Sequence, residues 1–256
     1  MIAVMSAMKE ELGVLLDELE KKQPVTVLGG REFHRGTLFG WDVVLAFSGW
    51  GKVASATVAT SLLQHFEAQE IIFTGVAGGV APDLQVGDVV LASELIQHDM
   101  DASPVPGIAR FEIPLLGKTR FETNPERRAR GMRGISSFLG GGGSSQIQDS
   151  PFRALGDRPP KVVEGLVASG DQFIADQDRR AEIVRLLPDV LCVEMEGAAV
   201  AQVCFEHQRP VTVVRTISDT ADATSPMDFP AFLKSLAGHY SRRIVEVLLS
   251  DEGGRS

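Results

Sequence analysis

Apolar residues along this chain alternate between two rhythms: short β-branched runs, and longer stretches in which they recur at three and four. Buried runs at residues 2–5, 70–74, 88–92, 162–168, 190–193 and 211–217 predict strands. Residues 25–28, 32–38 and 43–47 add three more, the last two joined as a hairpin through Phe39-Gly40-Trp41-Asp42, so the sheet is expected to be mixed. Between them, Met8, Leu12, Leu15, Leu16 and Leu19 predict a helix that Ser6 can cap. A second helix carries Val53, Ala56, Ala59, Leu62 and Leu63 on one face, a third spans about 179–187, and residues 229–249 predict a closing helix. Asn124-Pro125-Glu126 reads as a further helix start, with Asn124 capping and Pro125 in the first turn. Strands alternating with helices predict an α/β fold, expected as one domain over residues 1–250 with a frayed tail at 251–256.

Polar residues that interrupt these rhythms carry the chemical interest. Glu11 lies three after Met8 and four before Leu15, on the apolar face of its helix, whereas Lys9 and Glu10 can turn outward. Glu194-Met195-Glu196 separates the strand at 190–193 from the small residues Gly197, Ala198, Ala199 and Ala201, which let a helix lie close against its neighbour. Two carboxylates are thereby set at the edge of a core. Each acid alone is explained as a helix-start charge favoured by the helix dipole. Arg215 sits inside a β-branched strand and needs a partner there. Ser218-Asp219 closes that strand, at the end where open α/β sheets bind ligands.

Composition narrows the function without choosing it. With 256 residues, a net charge of -9 and a pI near 5.1, the chain lacks the basic surface that nucleic acid or an anionic membrane requires. The partner is therefore expected to be a small molecule. The two cysteines, Cys192 and Cys204, form neither a metal spacing nor a disulfide framework, which fits a reducing cytoplasm. The first eight residues are apolar but have no basic flank and run into Lys9-Glu10-Glu11, unlike a signal peptide. Ser48-Gly49-Trp50-Gly51-Lys52 is a glycine-hinged loop, and Gly75-Val76-Ala77-Gly78-Gly79 is neither a dinucleotide fingerprint nor a P-loop. His98 reads as a structural residue, and no cluster has metal-ligand spacing. Residues 102–160 turn towards Pro, Gly, Ser and Arg. Within them Arg127, Arg128, Arg130 and Arg133 read as a solvated helix face, and Gly140 onwards as a flexible loop.

Six motifs in order, Ala7-Met8-Lys9-Glu10-Glu11, Thr74-Gly75-Val76-Ala77-Gly78-Gly79, Val86-Gly87-Asp88, Ser169-Gly170-Asp171-Gln172-Phe173-Ile174, Val193-Glu194-Met195-Glu196-Gly197-Ala198 and Arg215-Thr216-Ile217-Ser218-Asp219, resemble the 5'-methylthioadenosine/S-adenosylhomocysteine nucleosidases. The likeness covers nearly the whole chain. It implies a three-layer α/β/α sandwich with a mixed central sheet, a homodimer, and cofactor-free, metal-free hydrolysis of the N-glycosidic bond of adenine thionucleosides. By that resemblance Asp219 would protonate N7 of the adenine, Glu11 would deprotonate the attacking water, and Glu196 would bind the ribose hydroxyls. Phe173 would stack on adenine while the Ile174 backbone reads its edge. Met195 would lie under the ribose, Phe229 would close that side, Arg215 would pair with carboxylates near the water, and Ser218 joins the binding set.

Departures from the family pattern bear on substrate preference. Val76 stands where relatives often carry Ser, and Trp50 where they often carry an aliphatic residue; with Met8 and Phe229, Trp50 is expected around the 5' thioether. The segment Ala102-Ser103-Pro104-Val105-Pro106-Gly107, which in relatives reaches into the partner's site, lacks the usual aromatics. A purine nucleoside phosphorylase, a futalosine-type nucleosidase and a non-catalytic nucleoside-binding protein are the alternatives. Against the first, an acidic first loop would repel phosphate.

Overall fold

A computed structural model of the chain describes residues 1–140 and 158–250. The sequence-predicted loop beyond Gly140 and the tail at 251–256 lie outside the described residues. Among the described residues ten strands form one mixed sheet: β1 (Ile2–Ser6), β2 (Thr26–Leu28), β3 (Arg31–Leu38), β4 (Trp41–Phe47), β5 (Glu70–Gly79), β6 (Val89–Gln97), β7 (Phe121–Glu122), β8 (Val162–Ser169), β9 (Val190–Glu194) and β10 (Val211–Asp219). Their order is β10-β6-β8-β9-β5-β1-β4-β3-β2, with β7 beside β6. β10 also pairs with β5, so five strands close into a ring and β1, β4, β3 and β2 extend from it. β1 runs parallel to β4 and β5, β10 runs parallel to β5, and β6, β8 and β9 run parallel to one another but antiparallel to β5 and β10.

Helices cover both faces. α2 (Lys52–Gln64) and α5 (Gly197–Glu206) share a core with Phe73, Val90, Val167 and Val213. α1 (Lys9–Glu18), α3 (Pro125–Leu139) and α7 (Gly238–Leu249) cover the other side over Val4, Leu45, Ile72 and Val214. The expected layering of helix, mixed sheet and helix is therefore present. A smaller cluster packs α4 (Gln177–Leu186) through Ile183 against Leu166 and Val190. Among the described residues no helix is long and apolar enough to cross a membrane, and Cys192 and Cys204 are buried free thiols.

Several elements differ from their sequence reading. Ser6 does not cap α1: its hydroxyl donates to the Met8 carbonyl, and Met8 occupies the cap position. In α2 the packed face runs through Ser55, Val58, Ala59, Leu62 and Leu63, leaving Val53 79% exposed. β5 does not stop at residue 74 as expected but continues through the glycine run 75–79, which pairs with β10 and β9. Arg127 and Arg128 are not a solvated face, because Arg127 donates to both oxygens of the buried Glu70 (Nε 2.8 Å, Nη2 2.6 Å) and Arg128 pairs with Glu164 at 2.8 Å. Asn124 does cap α3, accepting from the Glu126 and Arg127 amides. The closing helix begins earlier, as α6 (Ser225–Phe232), and passes through a π-helical turn (Leu233–Ala237) before α7.

Candidate active site

The ends of six strands deliver the lining residues to one place. The segments following β1, β4, β8 and β9, together with the end of β10 and the glycine-rich half of β5, surround a cleft of about 560 Å³ including its open mouth. Met8, Glu11, Trp50, Val76, Phe173, Ile174, Met195, Glu196, Ser218, Asp219 and Phe229 line it. Residues separated by more than 200 positions thus share one wall. Arg215 does not line it; its side chain lies behind, fully buried.

Glu11 enters from the first turn of α1, only 1% exposed. Its Oε2 accepts from the Met8 amide at 2.8 Å and its Oε1 from the Val76 amide at 3.0 Å. That approach requires glycine at 75, since a Cβ there would lie 2.9 Å from Glu11 Oε1. Burial pushes the carboxyl up to about 7, against the opposing pull of the Met8 and Val76 amides and the Arg215 charge.

Glu194 and Glu196 take different tasks although two residues apart. Glu194 turns inward: Oε2 accepts from Arg215 Nη2 at 2.7 Å and Nε at 3.2 Å, and from the Gly197 amide at 2.8 Å. Its Oε1 accepts from the Ser169 hydroxyl and the Gly197 amide, so one carboxylate both starts α5 and neutralises the buried guanidinium. Burial works against the Arg215 charge, but the surrounding carboxylates, Glu194 foremost and then Glu196 and Glu11, together hold the group above its ordinary value. Arg215 also rests over the Phe73 ring, 4.2 Å from its centroid. Glu196 turns to the cleft and accepts from the Gly51 amide at 2.8 Å. Burial first, then the neighbouring Glu194 charge, raises its carboxyl well above the ordinary range.

Asp219 is held at both oxygens. Ser218 Oγ donates to Oδ2 at 2.8 Å, and the Ala221 amide donates to Oδ1 at 2.9 Å. Part of the lining is aromatic. Phe229 meets Phe173 edge to face at 5.5 Å between centroids and Trp50 at 6.1 Å. Trp50 is 56% and Phe173 42% exposed, so both rings offer apolar surface to an occupant. Among the described residues no group of three or more His, Cys, Asp or Glu is placed to hold a metal ion.

A family model described as the phosphorylase superfamily matches residues 1–249. A 5'-methylthioadenosine/S-adenosylhomocysteine nucleosidase of Anoxybacillus flavithermus is 36% identical over 250 residues, 98% of each chain. The chain belongs to the phosphorylase superfamily, within its 5'-methylthioadenosine/S-adenosylhomocysteine nucleosidases. A solved nucleosidase of this kind from Neisseria meningitidis, in complex with methylthio-immucillin-A, superposes with a TM-score of 0.85 at 32% identity over 97% of both chains. A futalosine hydrolase of Helicobacter pylori superposes almost as well, with a TM-score of 0.81 at 31% identity and 96% of both chains. Reaction type and 5' substituent are therefore separate questions within this nucleosidase family.

Eleven of the twelve residues expected at the site line the cleft, and Arg215 lies behind it, hydrogen-bonded to Glu194. Ala7, Ala77, Gly78, Gln172, Val193 and Glu194 complete the lining and were not singled out as site residues from the sequence. For Glu194 a signal existed: a buried Arg215 implies a carboxylate partner, and Glu194 is the acid nearest Glu196.

Proposed function

We propose that this chain hydrolyses the N-glycosidic bond of 5'-methylthioadenosine and S-adenosylhomocysteine, releasing adenine. One observation carries the reading: the cleft is lined by three carboxylates without a cationic partner in hydrogen-bond contact, Glu11, Glu196 and Asp219, by Glu194 paired behind it with Arg215, and by no Lys or Arg. A phosphorylase must hold a phosphate anion. This lining repels one and favours a sugar that gains positive charge as its bond to the base breaks.

In this reading Asp219 gives its proton to N7, so that adenine leaves neutral rather than as an anion. Glu11 takes a proton from water as the oxygen attacks the anomeric carbon. Its carboxyl near 7 suits a base at neutral pH, protonated and unprotonated forms both being populated. Glu196 accepts from the ribose hydroxyls, Met195 supports the sugar, and Phe173 stacks on the base beside the Ile174 backbone. Arg215 acts through Glu194, whose fixed position sets the start of α5 and hence Glu196. Val76 contributes its amide to Glu11. Met8, Trp50 and Phe229 enclose the 5' substituent, and residues 102–107 of a second subunit form the outer wall in a cytoplasmic homodimer.

The test is product identity on a nucleoside panel, with and without phosphate. Free adenine and a free thioribose, at a rate indifferent to phosphate, support the reading. A sugar 1-phosphate would move the chain to the phosphorylases. A strong preference for futalosine over both thionucleosides would replace the substrate while keeping the reaction.

A further inference from the structure

The two exposed aromatic walls stand on loops rather than on strands or helices. Trp50 belongs to the connection between β4 and α2, and Phe173 to the turn after β8. A ring of three polar contacts ties these loops together outside the cleft lining. The Lys52 amide donates to Asp171 Oδ1 at 2.8 Å, the Asp171 amide to Asp99 Oδ2 at 2.9 Å, and Lys52 Nζ to Asp99 Oδ1 at 2.6 Å. Lys52 Nζ also donates to Gln97 Oε1 at 3.0 Å, which anchors the ring to the end of β6. Both side chains of the Lys52–Asp99 pair are about four-fifths buried, so solvent screens the pair less than it would a surface one.

The turn is pressed onto this ring. A Cβ at position 170 would lie 2.4 Å from the His98 ring and 3.1 Å from Asp99, so only glycine lets the chain pass. Next to Lys52, the Gly51 amide is the donor that holds Glu196. One cluster therefore sets the spacing of Trp50 and Phe173 and the donor to the ribose-side carboxylate.

We propose that Asp99 and Asp171, bridged by Lys52, are positioning residues that fix the two aromatic walls of the nucleoside cleft. The inference rests on the proposed nucleosidase activity. Neither aspartate lines the cleft, so their loss should weaken binding of substrate and transition state alike, raising KM more than it lowers kcat.

The geometry sets a discriminating pattern. Asp171 uses only Oδ1 towards Lys52, so Asp171→Asn keeps the needed acceptor; both oxygens of Asp99 face donors, so Asp99→Asn must turn an NH2 group against one of them. Wild-type adenine release from methylthioadenosine is measured first, because its absence would defeat the proposed function and not the positioning argument. Given that activity, Asp171→Ala should raise KM about tenfold with kcat within about threefold, the size of one charge-assisted hydrogen bond. Asp171→Asn should restore KM, whereas Asp99→Asn should resemble Asp99→Ala. Asp171 is exposed, so its two variants carry the test even if the Asp99 variants do not fold. An unchanged KM in Asp171→Ala, or an Asn variant at 171 as impaired as Ala, overturns the proposal.

Discussion

Replacing Glu11 by Gln should cost activity and at the same time change how stability depends on pH. In the folded protein the Glu11 carboxyl is raised from 4.5 to about 7, with burial as the main cause. Between those values the folded chain keeps a proton that the unfolded chain has released, so raising the pH across this window favours unfolding. Below pH 4.5 the cost is absent; above about 7 it is complete. At about 1.4 kcal/mol per pH unit, the 2.5-unit interval between 4.5 and 7 corresponds to about 3.5 kcal/mol as an upper bound. Gln cannot titrate. It does leave an amide group facing the Met8 or Val76 amide, a fixed cost of about 1 to 3 kcal/mol, but that cost is the same at every pH. The assay is urea unfolding of both proteins from pH 4.5 to 8.5. Wild type should lose about 2 to 3 kcal/mol relative to Glu11→Gln over that range, while kcat/KM of the wild type rises through an apparent value near 7. A stability difference that stays flat with pH would mean that Glu11 ionises in the fold as it does in water, and the base assignment would lose its physical ground.

Asp219→Asn should bind substrate yet turn over more slowly by about two to four powers of ten, as expected for a placed general acid; near-normal turnover would remove Asp219 from that role. Trp50→Ala should change the ratio of methylthioadenosine to S-adenosylhomocysteine cleavage more than it changes adenine affinity, within the span of about 1 to 3 kcal/mol available to an apolar pocket. An untouched ratio would take Trp50 out of the 5' wall. Arg127→Ala should lower stability by about 3 kcal/mol in denaturant unfolding, because the buried Glu70 loses its bidentate partner. A change below about 0.5 kcal/mol would restore the reading of that arginine as a surface charge.

What the sequence disclosed depended on whether the information was local. Glu11 was legible because helical spacing alone puts it among Met8, Leu12 and Leu15, and Leu12 and Leu15 are indeed fully buried. Asp219 was legible from the end of a β-branched run. The division of labour between Glu194 and Glu196 was not. Glu194 ends β9 and Glu196 stands two residues on, and only the pairing with Arg215, on a different strand and 21 residues away, draws one inward and leaves the other facing the cleft. The glycines of β5 misled for a related reason. Glycine is a poor strand former, which set the expected end of β5 at residue 74, yet here Gly75 and Gly78 leave room for Glu11 and for Asp219, whose Oδ1 would lie 3.0 Å from a Cβ at 78. Val53 failed as a core residue because small residues line both flanks of α2 and blur its period, so hydrophobicity alone could not choose the packed face.

The balance of charge links these particulars to the proposed chemistry. Among the groups at the cleft and behind it, Arg215 is one buried cation facing three buried acids, Glu11, Glu194 and Glu196; of these it hydrogen-bonds Glu194, its Nη1 being taken up by the Phe73 and Val214 carbonyls. Glu11 and Glu196 are left with backbone amides and a more distant share of that charge, and burial raises both. Such a site is short of positive charge. A neutral nucleoside does not supply it, and a phosphate worsens the deficit, but a sugar approaching an oxocarbenium ion supplies it where the carboxylates stand. At an effective dielectric of about 20, one unit charge 4 Å from another is worth about 4 kcal/mol, about three powers of ten in rate if realised only in the transition state. The same raised carboxyls that make the empty cleft costly to ionise are therefore the source of its preference for the transition state over the substrate.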